Sequence, residues 1–142
     1  MKARILVVDD DPVSRKILSR HFSKVGFDVV SVESGKHALE ELAGRRYDIV
    51  ISDIVMPDMS GIDLLKSIRK EYQMVHVIMM TGVVTLDHAL SCMRLGADTI
   101  CFKPVNLGEL DTAVEKAIDS IKRWLEILER MTAMKAASGG DA

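Results

Sequence analysis

Short apolar, β-branched runs alternate along this chain with longer segments of helical period. The runs fall at about Arg4–Asp9, Phe27–Val32, Tyr47–Ser52, His76–Met80 and Thr99–Phe102. Short, largely unbroken apolar runs of this kind are what a parallel sheet covered on both faces requires. Between them, apolar residues three and four apart predict helices. Ile17, Leu18, Phe22 and Val25 form the inward stripe of the first, which opens at Pro12 and ends at Gly26. Ala38, Leu39 and Leu42 mark a second, from Ser34-Gly35 to near Gly44, and Ile62, Leu65 and Ile68 a third. Leu86, Leu90 and Met93 predict a fourth, ending at Gly96. This alternation with short connections predicts an α/β fold: a doubly wound, five-stranded parallel sheet with helices on both faces.

The last helix begins near Leu107 and runs past Met131, longer than such a domain needs. Leu110, Val114, Ala117, Ile121, Trp124, Leu128 and Met131 alternate spacings of four and three, a heptad seam. We place the domain at residues 1–121, an extension of the last helix at 122–135 and a flexible tail or linker at 136–142. The extension is either a solvated helix or a surface for a partner or a second copy, because an apolar stripe beyond the domain edge needs a cover.

Composition narrows the class. With 142 residues, 48% apolar and 28% charged, the chain bounds one domain with a real core. A formal net charge of −2 supplies no field for nucleic acid or an anionic membrane. No apolar stretch approaches the ~20 residues of a membrane span, and no secretory segment precedes the first strand. The expectation is a cytoplasmic protein that itself binds neither membrane nor nucleic acid. Cys92 and Cys101 lack ligand spacing and read as reduced, Cys101 as a core residue. His21, His37, His76 and His88 have no ligand spacing either and read as surface or partly buried, and the methionines read as core filler.

The chemistry lies at the strand ends. Asp9 and Asp10 follow the first run, Asp53 the third, Thr81 the fourth and Lys103 the fifth. In an open α/β sheet the C-terminal strand ends converge on one crevice. Three carboxylates, a hydroxyl and an ammonium meeting there make a site for a divalent cation and a phosphoryl group. Two carboxylates ~4 Å apart repel by ~4 kcal/mol at an effective dielectric of 20, so the set either binds a cation or raises a pKa. Each residue has a plainer account. The Asp9-Asp10-Asp11 run could be a cap and first turn. The Asp53 loop, Thr81-Gly82 and Lys103-Pro104 could be ordinary turns, although a cis peptide at Pro104 would aim the lysine inward. All occurring together favours the site.

The segments Val7-Val8-Asp9-Asp10-Asp11-Pro12, Ser52-Asp53-Ile54-Val55-Met56-Pro57, Met80-Thr81-Gly82 and Phe102-Lys103-Pro104 resemble the receiver domain of bacterial two-component response regulators, over about the first 120 residues. The resemblance implies the flavodoxin-like strand order 2-1-3-4-5, the order for which such receivers are known. It implies that Asp53 accepts a phosphoryl group from a histidine kinase or phosphotransfer protein. It also implies that Asp9, Asp10, Asp53 and the Val55 backbone carbonyl hold Mg²⁺, while Thr81 and Lys103 bind the phosphoryl oxygens. The function implied is a signalling switch, not an enzyme acting on another substrate.

Three positions depart from the family. Receivers usually carry Tyr or Phe where this chain has Ile100, which puts the usual ring-swing coupling in doubt; Phe102 lies on the same face and could substitute. Val55 and Val83 stand where polar side chains help hydrolyse the acyl phosphate, which predicts slow self-dephosphorylation. Two other functions compete. Asp9-Asp10-Asp11-Pro12-Val13 matches the nucleophile motif of haloacid-dehalogenase-type phosphatases, although the acidic pair those enzymes need on a late strand is missing. The chain could also be a receiver-like dimerisation or interaction module that is never phosphorylated.

Overall fold

The computed structural model describes residues 2–83 and 85–139. Five parallel strands, β1 (Arg4–Val8), β2 (Asp28–Val32), β3 (Ile49–Asp53), β4 (His76–Thr81) and β5 (Thr99–Phe102), form one sheet in the order β2-β1-β3-β4-β5. The helices are α1 (Pro12–Val25), α2 (Gly35–Gly44), α3 (Gly61–Glu71), α4 (Leu86–Arg94) and α5 (Leu107–Ala137). The doubly wound architecture and the strand order are those expected.

Strand alternation sorts the core into two layers. Leu6, Val8, Val50, Val77 and Met79 pack on one face with Ala38, Leu42, Leu64, Leu65, Ile68 and Cys92, from α2, α3 and α4. Ile5, Val7, Ile49, Ile51, Ile78 and Met80 pack on the other with Leu18 and Phe22 of α1 and Leu110, Val114 and Ala117 of α5. The central strands are buried on both faces, which is why their sequences read as continuous apolar runs.

Each helix is capped by a polar side chain leaving a strand or loop. Asp11, Ser34, Ser60, Thr85 and Asn106 accept backbone N–H bonds from the first turns of α1 to α5, each contributing about 1 kcal/mol. Gly26, at φ 116°, closes α1 in the left-handed region. Arg69 ties α3 to the loops before β4 and β5 by donating to the Val75 and Gly96 carbonyls.

Several expectations need correction. The strand ends differ by a residue or two: β1 stops at Val8, whereas β3 and β4 take in Asp53 and Thr81. Ile17 and Val25 lie on the solvent side of α1, because Leu18 and Phe22 alone point at the sheet. On α4 the predicted stripe is inverted: Leu86 and Met93 are exposed, Leu90 is half-buried and Cys92 is buried. The short β5 edge leaves α4 little sheet to cover. The last helix continues to Ala137, two residues into the segment read as a tail, since Ala136 and Ala137 sustain helix. Gly140, Asp141 and Ala142 lie outside the described residues. No helix among the described residues is long and apolar enough to cross a membrane.

Candidate functional site

The C-terminal ends of β1, β3 and β5 bring four of the predicted residues together. Asp9 follows β1 and is wholly buried, Asp53 ends β3 and is 6% exposed, and Asp10 faces solvent. One oxygen from each of Asp9, Asp10 and Asp53 lies within 4.8 Å of the others. Lys103 enters from beyond β5, its Nζ 2.7 Å from Asp53 Oδ2 and 3.4 Å from Asp9 Oδ2. The Lys103–Pro104 peptide is cis.

Local structure holds these groups in place. Asp9 Oδ1 accepts from the Asp11 amide at 3.0 Å, and the Asp9 carbonyl accepts from Arg15 at 2.7 Å. Asp11 is spent as the α1 cap, so the plainer reading of the acidic run holds for that residue. Asp53 Oδ1 accepts from the Val55 amide at 3.3 Å. The chain behind Asp53 turns closely: the Gly61 amide donates to the Ile54 carbonyl at 2.7 Å, and a Cβ at Gly61 would overlap the Asp53 carbonyl oxygen. The Ser60-Gly61 pair signals a turn, but nothing local in the sequence shows that it presses on the backbone of Asp53.

Thr81 sits at the adjacent end of β4, buried, with its hydroxyl engaged by its own loop. It donates to the Val83 carbonyl at 2.6 Å and accepts from the Val83 amide at 3.0 Å. Val55 and Val83 are 54% and 56% exposed beside the cluster. Ile100 is half-buried and packs into the core, whereas Phe102 is 49% exposed at the end of β5. The histidines stay outside the site. His21 pairs with Asp111 at 2.6 Å and His76 with Asp98 at 2.8 Å.

The electrostatics of the cluster favour a cation among its carboxylates. Burial pushes the Asp53 carboxyl above its ordinary range, against the opposing pull of Lys103, and Asp9 adds to the rise. Burial by itself would lower Lys103, but its bonds to Asp53 and the nearby Asp9 raise it overall, so it stays charged. One ammonium faces three carboxylates. A hard divalent ion bound through oxygen would relieve that excess, and the oxygen-only donor set with one solvent-facing member fits Mg²⁺.

The comparisons agree with this geometry. The sequence pattern of the response regulator receiver domain matches residues 5–115. Regulatory protein AtoC of Escherichia coli K12 is 37% identical over 129 residues, covering 89% of this chain and 28% of that protein. The DNA-binding transcriptional regulator NtrC of the same strain is 40% identical over 114 residues, covering 80% of this chain and 24% of that protein. The chain thus spans about a quarter of the length of these curated relatives. Among solved structures, the response regulator protein TrrA of Thermotoga maritima, in complex with Mg(2+)-BeF, is 36% identical with a TM-score of 0.74 over 82% of this chain and 99% of that one. A CheY-like receiver domain protein of Methanospirillum hungatei superposes with a TM-score of 0.84 at 27% identity over 87% of this chain and 98% of that one. With its fold, its strand-end carboxylates and its lysine accounted for, the chain belongs to the response regulator receiver domain family.

Proposed function

We propose that this chain is a phosphorylation-dependent switch in which Asp53 accepts a phosphoryl group from a histidine kinase or phosphotransfer protein. The observation that carries the reading is the convergence of Asp9, Asp10 and Asp53 with Lys103 at the strand ends. Asp53 Oδ would attack phosphorus as the P–N bond of a phosphohistidine breaks, and the leaving imidazole takes a proton. Asp9, Asp10, Asp53 and the Val55 carbonyl would hold Mg²⁺, which would supply charge neutralisation at the phosphoryl oxygens. Lys103 neutralises the phosphoryl group from its place beside Asp53. Thr81 exchanges its bond to the Val83 carbonyl for one to a phosphoryl oxygen, which couples the loop after β4 to the modification. Moving such a switch from 1:99 to 99:1 takes ~5.5 kcal/mol of differential stabilisation.

The chain acts on no substrate other than its own aspartate in this reading. Val55 and Val83 offer apolar side chains at the mouth of the site, so water is poorly positioned and self-dephosphorylation is slow. Asp9 is a poorer candidate for the nucleophile than Asp53, because it is wholly buried whereas Asp53 keeps some exposure. Output passes through protein contacts, with the α5 extension as the output element towards a second copy or an output domain, in the cytoplasm where such kinases present their phosphohistidine. Ile100, packed in the core without a swinging ring, favours the second reading of a module that assembles without phosphorylation.

One experiment separates the two. Wild type and Asp53→Ala are compared with Mg²⁺, with and without beryllofluoride, by fluorine NMR and by mass in solution. Binding to wild type alone, with a change in assembly or in α5 exposure, supports the switch. Absence of binding to either chain transfers the reading to the interaction module.

A further inference from the structure

Among the described residues, two buried side-chain atoms lack a hydrogen-bond partner, Ser19 Oγ and His88 Nδ1. A serine hydroxyl on a helix reaches the carbonyl four residues back by turning about one bond, so Ser19 needs no further account. A ring nitrogen has no such recourse, and a buried one left unpaired costs stability. His88 lies in the first turn of α4, where its amide donates to Oγ1 of the capping Thr85 at 3.1 Å. With Cys92 and Leu95 it forms the inward stripe of that segment, at spacings of four and three, while Leu86 and Asp87 face solvent. Cys92 is buried, and Leu95 and Ile100 pack against the same core layer. Side chains on a helix lean towards its N-terminus. The His88 ring therefore lies over the loop that leads from Thr81 into α4.

One hydroxyl closes that loop. Thr81 donates to the Val83 carbonyl at 2.6 Å and accepts from the Val83 amide at 3.0 Å. When the hydroxyl turns to a phosphoryl oxygen, the Val83 carbonyl loses its donor. We infer that His88 is the positioning residue that takes this carbonyl up, its Nδ1 donating to Val83 in the phosphorylated state and latching the loop to α4. The inference rests on reading Asp53 as the phosphoryl acceptor. A carbonyl that loses its donor and a ring nitrogen that lacks a partner lie five residues apart on one short connection. Each satisfies the other. Nδ1 bears a proton in only one of the two neutral tautomers. The Nε2 proton leaves to water as another joins Nδ1, so the charge of the ring is unchanged. Ile100 offers neither a polar atom nor a ring that turns, so in this chain the signal reaches α4 through the loop itself.

Nitrogen NMR on the full chain with labelled histidine tests the latch, using Mg²⁺ and beryllofluoride, with fluorine NMR to report the bound analogue. The signals missing from His88→Asn identify the ring. Bound analogue should convert Nδ1 from an unprotonated to a proton-bearing nitrogen. His88→Leu removes the donor and keeps the apolar bulk, whereas His88→Asn sets an amide donor where Nδ1 stands. The Leu variant should bind beryllofluoride about fivefold more weakly, the size of one hydrogen bond, with a Tm no lower than that of wild type. The Asn variant should recover the wild-type affinity to within about twofold. Equal affinity in wild type and the Leu variant overturns the inference. So does an Nδ1 that stays unprotonated while fluorine signals show the analogue bound. A Leu variant that loses affinity together with Tm marks a packing role and overturns it too. A wild-type chain that takes no beryllofluoride at all overturns the switch reading, and this one with it.

Discussion

At the scale of single residues, the site trades stability for a reactive arrangement. Burial raises the Asp53 carboxyl, so its ionised form costs the fold stability. The sign follows from the raised value. The contribution favouring the fold is complete below the ordinary carboxyl value of 3.8 and is lost as pH climbs through the higher folded one. Asp53→Asn should therefore match wild type in Tm at strongly acid pH and exceed it at neutral pH without metal. Differential scanning calorimetry across pH reads this, and an equal Tm throughout would refute it. Lys103→Met acts in the other direction, leaving Asp9 and Asp53 facing each other without an ammonium. Its metal-free stability should fall by about 2 kcal/mol, with much of the loss recovered on adding Mg²⁺, as urea unfolding would show. Gly61→Ala should cost about 3 kcal/mol, because its Cβ meets backbone rather than a yielding side chain.

At the scale of elements, the helices differ in how firmly they are held. Four of the five bury a stripe against the sheet, whereas α4 contributes the buried Cys92 and turns Leu86 and Met93 outward. Its placement depends on the connection after it, which Arg69 of α3 secures through Gly96. That guanidinium is desolvated, which lowers its pKa, and it donates to three backbone carbonyls. Arg69→Ala should cost about 3 kcal/mol, since bonds from a charged donor carry about 1.5–3 each and the carbonyls can partly rehydrate. Hydrogen exchange should show the loss first in α4 and β5, and uniform loss over the whole sheet would contradict it. The α3 periodicity points to Leu65 and Ile68, yet gives no hint that Arg69 crosses to another loop.

At the scale of the whole molecule, one sheet separates two core layers, and each holds a thiol. Burial raises both Cys92 and Cys101 above the ordinary thiol range. A raised thiol favours the fold below its unfolded value of 9.0, and that contribution is lost as pH rises through the folded one. Both thiols should resist an aromatic disulfide reagent at pH 8 in the native chain and react within minutes in urea, with the midpoint of reactivity following unfolding. Fast native reaction would show that a core layer opens readily. The site and the α5 extension lie at opposite ends of the strands, so communication between them would have to run through the layer that α5 shares with β4 and β5.

Much of the fold and of the site is legible in the sequence. The strands stand out because buried parallel strands must be apolar throughout, and the polar residue ending each run marks where the chain leaves the core. Asp9, Asp10, Asp53 and Lys103 can be assigned to one place because a doubly wound sheet gathers its C-terminal strand ends. Periodicity names which residues share a helix face but not which way that face turns, so Ile17, Val25, Leu86 and Met93 point outward against expectation. That choice belongs to the neighbours each helix finds on the sheet. The Lys103–Asp53 distance, the engagement of Thr81 with Val83 and the close turn at Gly61 join residues distant in sequence or depend on conformations of the backbone. The heptad seam of α5 is plain in the sequence, but that only its first half is buried, because the seam outruns the sheet beneath it, was decided by the tertiary fold.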